Sequence, residues 1–85
     1  MIYRFNDDNM IIAKCIDDKN PRTDEKYPIE IGESYEVELI SMGQSWTFIY
    51  LKDFEQQPFN SLVFEFYEDD KPLDIYKDKR FNPYI

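Results

Sequence analysis

The chain has 85 residues and a formal net charge of −8 at pH 7, with a sequence pI near 4.3. This length allows one domain with a single core, and we treat residues 1–85 as that domain. An acidic surface disfavours direct binding to nucleic-acid phosphates or to an anionic membrane, whereas it favours a protein partner with a basic surface.

The residue types that most catalysis requires are scarce. The sequence contains no histidine, which removes the usual general base near neutral pH and the commonest zinc ligand. Cys15 is the one cysteine, and its apolar surroundings favour a buried structural thiol. We therefore expect no enzymatic activity, no cofactor and no metal site.

The sequence also predicts a location. The N-terminal residues lack the basic region and long apolar run of a signal peptide. No apolar run approaches the ~18 residues of a membrane span. A single thiol cannot form an internal disulfide, so nothing indicates an oxidising compartment. We expect a cytoplasmic protein.

The first third of the chain predicts short extended segments and one long loop. Residues 2–5 form either a short strand or a loose arm, and residues 6–9 are a turn cluster. The apolar run 10–16 predicts the first secure strand. Residues 17–28 are polar, contain two prolines and have no helical period, so they predict a long exposed loop. Loops of this length often carry function.

The middle of the chain carries the clearest strand signals. Gly32 predicts a tight turn, because glycine tolerates positive φ. Residues 35–39 then alternate strictly, and residues 41–45 form a hairpin loop. The alternation places Tyr35, Val37 and Leu39 inward and Glu36 and Glu38 outward.

Residues 46–51 are the most apolar run, without charge, glycine or proline, and predict a central strand. Alternation puts Thr47, Ile49 and Leu51 on one face of that strand. It puts Trp46, Phe48 and Tyr50 on the other, so this strand offers an aromatic face.

The last third predicts two strands and a tail. Residues 58–61 suit a single 3₁₀ turn, and residues 62–67 read as a strand. A turn at 68–72 leads to an edge strand at 73–76. The tail, 77–85, is basic and then aromatic, and forms either a brace on the body or a partner-binding arm.

This order of elements resembles an SH3-like barrel. Residues 13–17 resemble its first strand, and residues 29–37, with Gly32, resemble its diverging turn and the strand that follows. Residues 45–48 resemble the tryptophan-led strand, and residues 58–63 resemble the 3₁₀ turn before the closing strand. The chain is also similar to small SH3-like proteins of bacterial and phage genomes, which carry a comparable Cys-Ile strand and Gly-x-x-Tyr-x-Val segment.

The resemblance covers about residues 11–66 and implies an all-β fold. The expected architecture is a small SH3-like barrel of five to six short antiparallel strands with one 3₁₀ turn. The barrel would span about residues 10–66, with a C-terminal extension at 67–85. Cys15 and Ile16 stand where signalling SH3 domains carry groove-lining tyrosines, so the resemblance does not extend to polyproline binding.

The leading functional hypothesis is a non-enzymatic protein-interaction module. Its site would be the aromatic face of Trp46, Phe48 and Tyr50 with the loop 17–28, because Trp and Tyr dominate binding hot spots. Glu36 and Glu38 could add a docking strip for Lys or Arg. The plainer alternatives are that the rings pack under the C-terminal extension and that the glutamates only face solvent.

Two other functions fit the composition. A small protein of charge −8 could be an inhibitor of phage or mobile-element type that mimics phosphates and blocks a basic nucleic-acid-binding protein. Exposed edge strands could instead support a structural homodimer. The sequence leaves the oligomeric state open.

Overall fold

The computed structural model describes residues 2–5, 10–54 and 56–84. Within them the chain forms an antiparallel all-β fold of seven strands and one 3₁₀ helix, as the all-β expectation requires. The number of strands exceeds the five to six expected. The elements are β1 (Ile2–Arg4), β2 (Ile12–Cys15), β3 (Ser34–Met42), β4 (Thr47–Leu51), β5 (Phe59–Asn60), the 3₁₀ helix (Ser61–Val63), β6 (Phe64–Glu68) and β7 (Lys71–Leu73). The predicted turn at 6–9 lies outside the described residues.

The long strand β3 joins the two parts of the sheet. Its first residues pair with β2, and its later residues pair with β1 and β4. The strand order is β5-β4-β3-β2-β6-β7, with β1 added beside β3. Among the described residues no pairing joins β5 to β7, so the sheet is not closed and the SH3-like barrel is not confirmed.

A bulge in β3 corrects the predicted alternation. The register passes from Val37 opposite Leu51 to Leu39 opposite Tyr50, so β3 contains one extra residue there. The prediction that Leu39 points inward is therefore wrong. Ile40 takes the core position, and Leu39 shares the face of Tyr50.

Strand β4 begins at Thr47, one residue later than predicted, so Trp46 precedes the strand and is not part of its face. Within the strand, the two faces are those that the sequence predicts. Thr47, Ile49 and Leu51 are buried, while Phe48 and Tyr50 on the opposite face are half-buried. The core is thus built from one face of β4 together with alternate residues of its neighbours.

The predicted turn at Gly32 is also present, with φ at +93°. The 3₁₀ turn forms three residues later than predicted. Its start is set by Asn60, whose side-chain oxygen accepts a hydrogen bond from the Leu62 N–H at 3.0 Å. The edge strand also differs from the prediction, because pairing with β6 begins at Lys71 and ends at Leu73.

The long loop 17–28 is held by its own hydrogen bonds. Lys19 and Lys26 form a β-bridge, and the Asn20 N–H donates to the Glu25 carbonyl at 2.8 Å. Tyr27 is buried, although the loop was expected to be exposed throughout. The Tyr27 hydroxyl accepts a hydrogen bond from the Asn60 N–H at 3.1 Å, so the loop is anchored beside the 3₁₀ helix.

The C-terminal segment, residues 74–84, packs on the body. Ile75 and Phe81 have no exposed surface and belong to the core. The Phe81 ring lies 4.8 Å from that of Tyr3 and 5.5 Å from that of Phe5, measured between centroids. Of the two alternatives for the tail, the brace is the one observed.

Arg80 fixes this segment from the outside. Its guanidinium donates to both carboxylate oxygens of Glu68, at 2.9 and 2.8 Å, and to Asp78 at 2.6 Å. These hydrogen bonds hold the pKa of both carboxyl groups below their ordinary values. Arg80, one of the three basic residues of the tail, is therefore paired within the chain.

Candidate partner-binding cleft

The structure does not bring the five predicted site residues together, and Trp46, Phe48 and Tyr50 do not form the single aromatic face that was predicted. Four of the five belong to two separate surfaces, and Phe48 lines neither of them. Trp46 lies in the turn between β3 and β4, beside a cleft formed with the C-terminal segment. Tyr50 and Glu38 line a groove on the outer face of the sheet, and Glu36 pairs with a residue of that groove. Phe48 is half-buried on β4, between Ser41 of β3 and Asn60 of β5.

A tight turn presents Trp46. The Gly43 N–H donates to the Trp46 carbonyl at 3.0 Å and closes the β3–β4 connection. A Cβ at Gly43 would lie 2.6 Å from that carbonyl oxygen, so only glycine fits without movement. The turn leaves the Trp46 side chain 41% exposed.

Three other exposed apolar side chains surround the same cleft. Among the described residues, eight large hydrophobic side chains are exposed, and four of them line this site. We call it the Trp46 cleft, a space of about 240 Å³. Its exposed apolar residues are Trp46, Leu62, Tyr76 and Tyr84. Clustering of this kind is typical of a binding site, whereas scattered exposed hydrophobic residues carry no such meaning.

Hydrogen bonds hold the walls of the cleft in place. The Tyr76 hydroxyl is hydrogen-bonded to Ser61 Oγ. The Asn82 side-chain amide donates to the Tyr76 carbonyl at 2.6 Å, and the Tyr84 N–H donates to Asn82 Oδ1 at 2.9 Å. Burial raises the pKa of the Tyr76 hydroxyl, so the phenol stays neutral. Contacts within the chain therefore hold the Tyr76 ring and the backbone that carries Tyr84.

One polar group beside the cleft is unsatisfied. Asn60 also lines the cleft and is only 2% exposed. Its Oδ1 caps the 3₁₀ helix, which fixes the orientation of the amide and leaves Nδ2 with no hydrogen-bond partner among the described residues. Such groups are rare in native proteins.

The long loop reaches the cleft through Arg22. Its guanidinium carbon lies 4.1 Å from the centroid of the Trp46 ring, within cation–π distance. The structure thus brings together Trp46 and the loop 17–28, which the sequence proposed as one site.

The second surface, the outer-face groove, has an apolar centre and charged sides. Ile2, Leu39 and Tyr50 lie in it, and its volume is about 440 Å³. Two ion pairs accompany it: Arg4 with Glu38 at 3.2 Å, and Lys52 with Glu36. Both glutamates of the predicted docking strip already have a cationic partner in the chain.

Sequence reasoning missed the contribution of the C-terminal segment to the cleft. The C-terminal segment carries aromatic residues on both sides of the charged run 77–80, and the local sequence does not distinguish the buried Phe81 from the exposed Tyr76 and Tyr84. The surplus of aromatic residues was the available signal, but it did not indicate which rings meet Trp46.

Two further features are absent from the part of the chain that the structure describes. They contain no group of three or more His, Cys, Asp or Glu side chains placed to hold a metal ion. No helix in this part of the chain has the length and hydrophobicity needed to cross a membrane.

A protein-family model matches residues 17–85. The chain belongs to the family described as Bacteriophage T4 protein Y07B. This membership agrees with the resemblance to small phage proteins. The match includes every residue of the Trp46 cleft and the loop that carries Arg22, whereas β1 and β2 lie before it. No curated protein and no solved structure matches the chain significantly.

Proposed function

We propose that this protein is a non-enzymatic protein-interaction module that binds a protein partner through the Trp46 cleft. The observation that carries the proposal is the clustering of four exposed large hydrophobic side chains, three of them aromatic, around one cleft. Trp and Tyr side chains in such pockets supply most of the energy at protein interfaces. A space of about 240 Å³ suits one large side chain of a partner.

The surroundings of the cleft support the same proposal. Its walls are hydrogen-bonded in advance, which lowers the entropy lost on binding. The chain charge of −8 favours a basic partner. A cytoplasmic location is part of this proposal.

The proposed relation to SH3-like barrels has support from the order of elements. A long loop, a glycine turn, a long strand and a 3₁₀ helix before a late strand follow one another as in that fold. A strand pairing that closes the sheet would be needed to establish it.

The test is capture of a partner from a lysate of the cells in which the protein acts. The immobilised protein is compared with the variants Trp46→Ala and Tyr84→Ala and with the control Ile31→Ala. Ile31 is 62% exposed but lies outside the cleft. We expect the two cleft variants to lose the partner at least tenfold and the control to retain it. Cleft variants that unfold like the wild type in urea but still retain the partner would contradict the proposal.

A second candidate function follows from the net charge. A phosphate-mimicking inhibitor would hold a basic nucleic-acid-binding protein mainly by electrostatics, so its binding would weaken steeply with salt. In the same capture experiment, a partner lost at high salt but retained by Trp46→Ala would favour this function. A partner that stays bound at high salt favours binding through the Trp46 cleft.

A structural homodimer is a third candidate, favoured by the outer-face groove. The two ion pairs there carry equal positive and negative charge, so two copies of this acidic chain could meet at this face with little repulsion. Light scattering after size exclusion measures the mass directly. A dimer that Leu39→Glu converts to a monomer would support this candidate, and a monomer at high concentration would end it.

A further inference from the structure

We infer that the Trp46 cleft recognises an arginine side chain of a basic protein partner, and that Arg22 occupies the same ring in the free protein. This inference rests on the proposed function and names the chemistry of the partner. Arg22 would then act as an intramolecular competitor that the partner's arginine displaces.

The first observation is the contact itself. The Arg22 guanidinium carbon lies 4.1 Å from the Trp46 centroid, so this ring already holds a guanidinium. Tryptophan is the strongest cation–π acceptor among the side chains, and the planar guanidinium also stacks on aromatic faces. The chain therefore contains an example of the ligand that the ring accepts.

The second observation is that Arg22 is weakly held. Within the described residues its side chain contacts the Trp46 ring, and no ion pair or side-chain hydrogen bond fixes the guanidinium. Arg80, by contrast, is held by the carboxylates of Glu68 and Asp78. A cation–π contact at an exposed site makes the state with Arg22 on the Trp46 ring only about two- to fivefold more populated than the state with Arg22 away from it. A partner can therefore displace it.

The third observation concerns charge and hydration. A chain of net charge −8 attracts a partner rich in Arg and Lys, and the aromatic walls of the cleft select between them. Guanidinium is more weakly hydrated than ammonium and stacks on rings, so arginine loses less on entering this site. Tyr76 and Tyr84 also line the cleft and add two aromatic rings to its walls.

The experiment uses the full chain and two short capped glycine–serine peptides, one carrying two arginines and one carrying two lysines. Trp46 is the one tryptophan of the sequence, so its indole N–H gives a single reporter signal in heteronuclear NMR spectra. We expect the arginine peptide to shift this signal at concentrations where the lysine peptide has little effect.

The variant Arg22→Ala tests the competition. Its matched control is Lys26→Ala, which removes the same charge from the same exposed loop without touching Trp46. Suppose that the state with Arg22 stacked on the Trp46 ring is about two to five times more populated than the state in which the ring is free. Removing the Arg22 side chain then lowers the dissociation constant of the arginine peptide about three- to sixfold relative to the control.

The outcomes separate this inference from the proposed function. Equal response to both peptides, or equal affinity of Arg22→Ala and Lys26→Ala for the arginine peptide, would overturn the inference. If Trp46→Ala still abolishes partner capture in that case, the cleft remains the binding site and only the arginine assignment fails. If instead the arginine peptide binds but cleft variants retain the captured partner, the proposed function fails.

Discussion

Replacing Phe81 by alanine tests whether the C-terminal segment belongs to the core. The Phe81 side chain has no exposed surface, and its ring contacts Tyr3 at 4.8 Å and Phe5 at 5.5 Å between centroids. Truncating a buried phenylalanine to alanine typically costs about 3–5 kcal/mol, and the two ring contacts each contribute about 0.5–1.5 kcal/mol of this. We expect Phe81→Ala to lower the free energy of unfolding by about 4 kcal/mol.

This loss is large for a chain of 85 residues. Domains of this size have a total stability of roughly 4–13 kcal/mol, so the variant retains little reserve. With a denaturant slope of about 1–2 kcal/mol per molar urea, the unfolding midpoint falls by roughly 2–4 M. Urea titration followed by Trp46 emission measures it, and Lys79→Ala, exposed in the same segment, is the control.

A decrease in the free energy of unfolding of less than about 1 kcal/mol would refute the reasoning, because removing a buried aromatic ring destabilises a protein by more than that. Such a result would mean that the segment does not pack under β1. Tyr76 and Tyr84 would then lose their support, and the Trp46 cleft would not exist as described.

Three further changes test other parts of the structure. We expect Gly43→Ala to destabilise the protein by about 1–3 kcal/mol and to shift the Trp46 emission, because the new Cβ meets a carbonyl oxygen at 2.6 Å; an unchanged spectrum and urea midpoint would contradict this. Tyr27→Phe leaves the buried Asn60 N–H without its acceptor, so urea titration should show a loss of about 1–3 kcal/mol, and an unchanged midpoint would show that the bond is not needed. Pairing with Arg80 lowers the folded-state pKa of Glu68 below its ordinary 4.5 and that of Asp78 below its ordinary 3.8. The two ionised carboxylates therefore stabilise the fold fully above about pH 4.5, and this stabilisation is lost as the pH falls through the lower folded-state pKa values. Arg80→Ala should therefore destabilise the protein more at pH 7 than at pH 2.5, and equal losses at both values would be inconsistent with the pairing.

The local pattern of the sequence determined the class of fold. Alternation in residues 47–51 gave the buried and outward faces of β4, because a strand places successive side chains on opposite sides. Gly32 marked a turn that needs positive φ. The polar, proline-containing stretch 17–28 marked the long loop.

The tertiary structure determines where the inward–outward alternation of side chains along β3 is interrupted. The bulge between Val37 and Leu39 moved Leu39 to the outer face, because an inserted residue shifts every later side chain by one position. The strict alternation of residues 35–39 does not indicate this insertion. The pairing of β3 with β4 determines it, and that pairing joins residues distant in sequence.

Tertiary structure also assembled the Trp46 cleft. The sequence indicated Trp46 and the loop 17–28. Tyr76 and Tyr84 line the site from a segment whose Phe81 packs against Tyr3 of β1. Both buried and exposed rings of the tail have similar local sequence, so their burial depends on contacts across the chain. The composition indicates more aromatic rings than a small core needs, and long-range packing determines which of them are buried and which line the Trp46 cleft.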